Sequence, residues 1–90
     1  MLTAPERKAL KAKAHKLDPV VQVGAKGLTD EVVAEIELAL KAHELIKVRA
    51  GSLERGDRDA LWKEILVRTG AEEVQQVGKI VVLYRKKSDD

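Results

Sequence analysis

The chain has 90 residues, with 17 Lys and Arg against 15 Asp and Glu for a net charge of +2. That length suits one small domain, read as residues 1–87 with a frayed tail at 88–90, because halving it would leave neither part a core. With no cysteine and 2% aromatic residues, disulfide frameworks, thiol nucleophiles and cysteine-based metal sites are excluded, as are platforms that stack several bases on aromatic rings.

Thr3, Pro5 and Glu6 begin the first helix. The threonine hydroxyl and the glutamate form a capping box, and proline in the first turn lacks only an N–H that would be unpaired anyway. At about 100° per residue, Leu10, Ala14 and Leu17 line an apolar stripe, with Arg7, Lys8, Lys11 and His15 on an arc beside it. Asp18-Pro19 is expected to end this helix, since proline pushes its predecessor towards extended geometry.

Residues 20–23 are β-branched but for Gln22 and predict a strand, interrupted by Gly24-Ala25-Lys26-Gly27. Thr29 then caps a second helix reaching to about His43, with Val32, Val33, Ile36, Ala39 and Leu40 as its apolar stripe. Residues 45–50 alternate, placing Ile46, Val48 and Ala50 on one face and Lys47 and Arg49 on the other, a half-buried strand with a basic outer face. After a loop at 51–56, a third helix from about Asp57 to Thr69 buries Leu61, Trp62, Ile65 and Leu66, and Gly70 sits at its C′ position. Residues 74–77 and 80–84 flank Gly78-Lys79, a two-residue hairpin turn. The unbroken run Ile80-Val81-Val82-Leu83 predicts an interior strand covered on both faces.

The element order is α-β-α-β-α-β-β. The fold class expected is α/β (α+β): three helices on a small mixed four-stranded sheet, its first two strands parallel and its last two antiparallel. The longest apolar run, residues 80–84, is far short of the roughly 20 a membrane helix needs, and no signal-peptide core opens the chain. The expectation is a soluble, cytoplasmic protein without a membrane partner.

The small net charge hides segregation. Residues 1–27 carry six basic and two acidic side chains, a net of +4, while residues 28–46 carry one basic and five acidic, a net of −4. A basic pole is the electrostatic footprint of a polyanion binder, although segregated poles equally suit head-to-tail self-association.

Gly24, Ala25, Lys26 and Gly27 are the leading site candidates. Glycine offers no side chain to block a ligand, the loop leads into a helix N-terminus that favours anions, and Lys26 adds charge at the tip. A bare G-x-x-G also suits a plain strand-to-helix turn, and Asp30 and Glu31 in the next turn would repel a phosphate. Lys8 and Lys11 on the first helix, with Lys47 and Arg49 on the second strand, are the second set; a solvated charged face is the alternative. His15 and His43 lack a cysteine to complete a usual zinc set. His43 falls on the apolar side of its helix and reads as a packed histidine near the helix's negative end. No P-loop, nucleophile elbow or dinucleotide fingerprint is present, so no cofactor, small-molecule substrate or enzyme activity is expected.

The run from Asp18 to Thr29, containing Val20-Val21-Gln22-Val23-Gly24-Ala25-Lys26-Gly27, resembles the strand–GxxG–helix segment of the CRM domain, whose bacterial single-domain form is the YhbY type. His43-Glu44-Leu45-Ile46-Lys47-Val48 and the stretch from Gln76 to Arg85 are similar to two further signatures of that family. The resemblance implies an RNA-binding domain with a fold like the C-terminal domain of translation initiation factor three. It implies RNA contact through residues 24–27 and, more loosely, the first helix. Bacterial members are associated with large-subunit ribosomal precursors. The expected function is a monomeric, non-enzymatic protein that binds structured ribosomal RNA and assists large-subunit assembly; the alternative is a protein-interaction or self-association module.

Overall fold

A computed structural model describes residues 2–51 and 53–86. Three helices and four strands follow along the chain: α1 (Ala4–Ala14), β1 (Val21–Gln22), α2 (Asp30–His43), β2 (Leu45–Arg49), α3 (Arg55–Thr69), β3 (Glu72–Val77) and β4 (Ile80–Tyr84). Class, element order and mixed sheet match the expectation. In space the strands run β1-β2-β4-β3. β1 pairs with β2 in parallel, and β4 pairs antiparallel with both β2 and β3. The tail assigned to residues 88–90 lies outside the described residues.

β4 is thus interior, and its side chains feed two cores. Val81 and Leu83 join Val21, Val23, Ile46 and Val48 against Ile36 and Leu40 of α2 and Leu61, Trp62 and Ile65 of α3. Val82 points the other way and joins Leu45, Val74 and Ala14, with Leu2, Leu10 and Tyr84 at the margin. The expected two-sided burial follows from this alternation. Helices α2 and α3 cover one face of the sheet, and α1 covers the other.

Several boundaries differ from expectation. α1 ends at Ala14 rather than near Asp18, and a turn follows it, closed by a bond from the Leu17 N–H to the Ala14 carbonyl at 3.0 Å. The reason is geometric: α1 runs alongside β2, so the chain must double back before β1 can run parallel to β2. Leu17 therefore leaves the helical stripe and is 36% exposed. α3 starts at Arg55, taking in Gly56, with the Arg58 N–H bonded to the Glu54 carbonyl. β3 reaches back to Glu72 across a register shift between Glu73 and Gln75, where Val74 is buried towards α1. Gly78 alone in the hairpin turn takes positive φ, 56°, the sign pattern of a II′ turn with glycine first. His43 is exposed, not packed, because β1 stops short of that end of the sheet.

Candidate nucleic-acid interface

Residues 24–27 form a tight turn closed by a bond from the Gly27 N–H to the Gly24 carbonyl at 3.0 Å. Gly27 takes φ 75°, a conformation other residues adopt only with strain. Gly24, Ala25 and Lys26 are exposed and Gly27 half-buried. Among the described residues, the N–H groups of Ala25 and Lys26 enter no hydrogen bond. The N–H of Gly27 is consumed inside the turn, so the donors on offer are those at its tip.

The turn opens into α2. The Thr29 hydroxyl accepts from the Val32 N–H at 3.2 Å, the cap expected from sequence. A shallow concavity between turn and helix is lined by Gly24, Lys26, Gly27, Asp30, Glu31 and Val32, among others. No residue of α1 borders it. The acidic first turn is partly offset from an unexpected direction: Arg68 of α3 stands 3.8 Å from Asp30. Asp30 is almost fully exposed there, so the pair contributes little to stability; its effect is to bring a cation beside the turn.

The basic strand adjoins the turn through the main chain. Gln22 pairs with Arg49, and the Val23 N–H donates to the Arg49 carbonyl at 2.7 Å. Leu45 belongs to the core under α1, so by alternation Lys47 and Arg49 project on the α1 side of the sheet. Arg49 folds over Gly51, its Nε 3.4 Å from where a Cβ would stand there. Lys47 shares a groove with Lys11 of α1, with His15 just past its end and with Ile80. The order across the surface is therefore glycine turn, Arg49, Lys47, then Lys11 and His15. Lys8 is exposed one helical turn before Lys11 and borders neither concavity. Two cations escaped the sequence reading, Arg68 and Lys79. The Lys79 carbonyl accepts from the Ala50 N–H at 2.9 Å, placing the hairpin turn at the same end of the sheet as the glycine turn. Strand order alone reveals that, and no local pattern encodes it.

The model of the CRS1/YhbY (CRM) domain matches residues 2–85. The chain belongs to the CRM-domain family. A Haemophilus influenzae relative named an RNA-binding protein is 43% identical over 88 residues, covering 98% of this chain and 89% of the relative. A Pseudomonas aeruginosa relative, named a probable RNA-binding protein, is 45% identical over 85 residues, covering 94% of this chain and 82% of its own. The solution structure of a Staphylococcus aureus protein superimposes with a TM-score of 0.84 at 31% identity, covering all of this chain and 94% of the other. The glycine turn, the end of α2 with β2, and the β3–β4 hairpin of this CRM domain are the three segments on which the family resemblance rested.

Within this CRM domain, no group of three or more metal-ligating side chains clusters among the described residues. No helix there is long and apolar enough to cross a membrane. Trp62 is buried and Tyr84 half-buried, so neither ring forms an open stacking platform.

Proposed function

We infer that this CRM domain is a non-enzymatic RNA-binding protein that contacts structured RNA through the glycine turn and the basic strand beside it. The observation that carries the reading is the Val23–Arg49 pairing, which sets an exposed main-chain turn next to a cationic face. Turn-tip N–H groups of Ala25 and Lys26 would meet sugar–phosphate oxygens, with Lys26, Arg49, Lys47 and Lys11 supplying charge and Lys8 a more distant contribution. Phosphate contacts position a protein without reading sequence, and scarce aromatics leave RNA shape as the main determinant. The relatives named as RNA-binding proteins support the ligand class. The family association with large-subunit precursors makes ribosomal RNA the proposed substrate, assembly the proposed role, and the cytoplasm the proposed site, with the protein acting as a monomer.

The test is crosslinking in cells followed by sequencing of the attached RNA. Recovery of large-subunit precursor supports the assembly role; recovery spread over all transcripts removes it and leaves general polyanion affinity. One observation favours the competing reading of self-association: basic α1 and acidic α2 lie on opposite faces of the sheet, a geometry that would let copies stack head to tail. Sedimentation at low and high salt separates the two. An oligomer that dissolves with salt and has no RNA affinity supports the competitor.

A further inference from the structure

A third concave surface lies at the opposite end of the β1 edge. Pairing of that edge with β2 begins at Val20, whose N–H donates to the Lys47 carbonyl at 3.0 Å. Main-chain groups of alternate strand residues point the same way. Lys47 and Arg49 turn theirs towards β1, so Leu45 turns its N–H and C=O to the same edge, where no strand among the described residues meets them.

The space beyond is a cleft of about 480 Å³, within the size range of small-molecule sites. Its walls are apolar: Leu10 from α1, Leu17 and Val20 from the connection into β1, and Tyr84 from β4. Leu17 and Val20 are 36% and 51% exposed, an apolar surface left open to solvent. Lys13 and Lys16, both exposed, stand among the lining residues. Asp18, His43 and Glu44 also border it.

A strand-edge donor and acceptor side by side can read the edge of a heterocyclic base. Apolar walls suit its faces, and the two lysines complement a phosphate. We propose that this cleft takes one unstacked nucleotide of the bound RNA, its base edge on the Leu45 main chain and its phosphate at Lys13 and Lys16. The proposal rests on the RNA-binding reading and adds a site of base recognition to a surface otherwise suited to shape. Val20 and Gly24 are four residues apart along an extended chain, about 13 Å, so RNA lying along the β1 edge passes from turn to cleft. The Asp18 carboxylate at the border accepts from an exocyclic amino group, which favours adenine, guanine or cytosine over uracil.

The test uses the full chain, isotope-labelled for NMR and titrated with AMP, GMP, CMP and UMP, then with an RNA hairpin carrying a single-stranded flank. Expected are shifts at the Leu45 amide and at residues 17–20, with UMP weaker by about fivefold, the worth of roughly one hydrogen bond. Leu17→Gln and Val20→Gln, both at exposed positions, should each weaken mononucleotide binding by a similar factor. Shifts confined to the glycine turn, or equal for all four nucleotides, overturn the proposal. If the hairpin binds while the cleft amides stay unmoved, the cleft is refuted and the RNA-binding reading stands. If the wild type binds no RNA at all, both fall.

Discussion

The main-chain N–H of Val23 donates to the carbonyl of Arg49 at 2.7 Å. This bond joins the residue before the glycine turn to the last residue of the basic strand, so the turn and the cations are held on one rigid edge. RNA binding through that edge has a defined salt dependence. Four neutralised phosphates give a log–log slope of about −3, a loss of roughly 50-fold between 50 and 200 mM salt. Lys47→Ala and Arg49→Ala should each make the slope shallower by about 0.7. Fluorescence anisotropy across that salt range checks it, and an affinity flat with salt would remove the electrostatic account.

The two glycines of the turn separate backbone strain from ligand contact. A Cβ at Gly24 would meet nothing within 4 Å, whereas Gly27 holds φ 75°. Gly27→Ala should cost about 1 kcal/mol of stability. Gly24→Asp should leave the melting temperature near that of the wild type and weaken RNA binding by about tenfold, a 1.4 kcal/mol effect, through carboxylate–phosphate repulsion. Wild-type affinity in Gly24→Asp would show that RNA does not touch the turn.

Arg85 ties three elements together at the end of the sheet away from the glycine turn. Its Nη1 donates to both carboxylate oxygens of Glu37 at 2.9 Å and to the Thr69 carbonyl at 2.8 Å. The pair is only 24% and 31% exposed, so solvent screens it incompletely. Arg85→Ala should therefore cost about 1–3 kcal/mol, seen as an earlier urea midpoint, with RNA affinity unchanged. A midpoint equal to wild type would refute the strut.

Glu44 closes α2 with φ 62° and ψ −43°, unfavourable for a residue with a side chain. Replacing it by Ala or Gly removes the same side-chain contacts, but only Gly relieves the backbone. Glu44→Gly should therefore be more stable than Glu44→Ala by about 1 kcal/mol. Calorimetry on the two variants measures the difference, and the reverse order would mean the backbone there is unstrained.

At the start of α1, Glu6 accepts from the Thr3 N–H at 3.1 Å. This main-chain bond first, and the Thr3 hydroxyl second, hold its carboxyl below the ordinary glutamate value. A lowered folded-state pKa means the contribution is present above the unfolded value and lost as pH falls through the folded one. The protection factor of the Thr3 amide should therefore fall as the solution is acidified below the usual glutamate range, and Glu6→Gln should abolish that fall. A pH-independent protection pattern in the wild type would contradict the capping box.

Local patterns in the chain carried much of this molecule. The capping box at Thr3 and Glu6, the cap at Thr29 and the two-residue turn at Gly78 were legible because each involves residues within three positions of one another. The stripe of Leu61, Trp62 and Ile65 was legible because burial of a helix face imposes a 3.6-residue period. The same rule misplaced His43, since periodicity names a face of the helix but not whether anything covers that face's last turn. It also carried Leu17 into a helix that stops at Ala14, because the need to double back before β1 is a constraint of the sheet.

By itself the sequence determined the elements, the aliphatic core, the charge segregation and the glycine turn, all of which arise from short-range sterics and hydrophobic periodicity. Tertiary structure alone decided that the second neighbour of β4 is β2, that Arg49 adjoins the turn while Lys8 does not, and that Arg68 and Lys79 join that end. It also decided that Arg85 reaches Glu37, 48 positions away. Such juxtapositions depend on which strands share a ladder and which face each helix covers, and those choices minimise the free energy of the whole chain rather than of any segment.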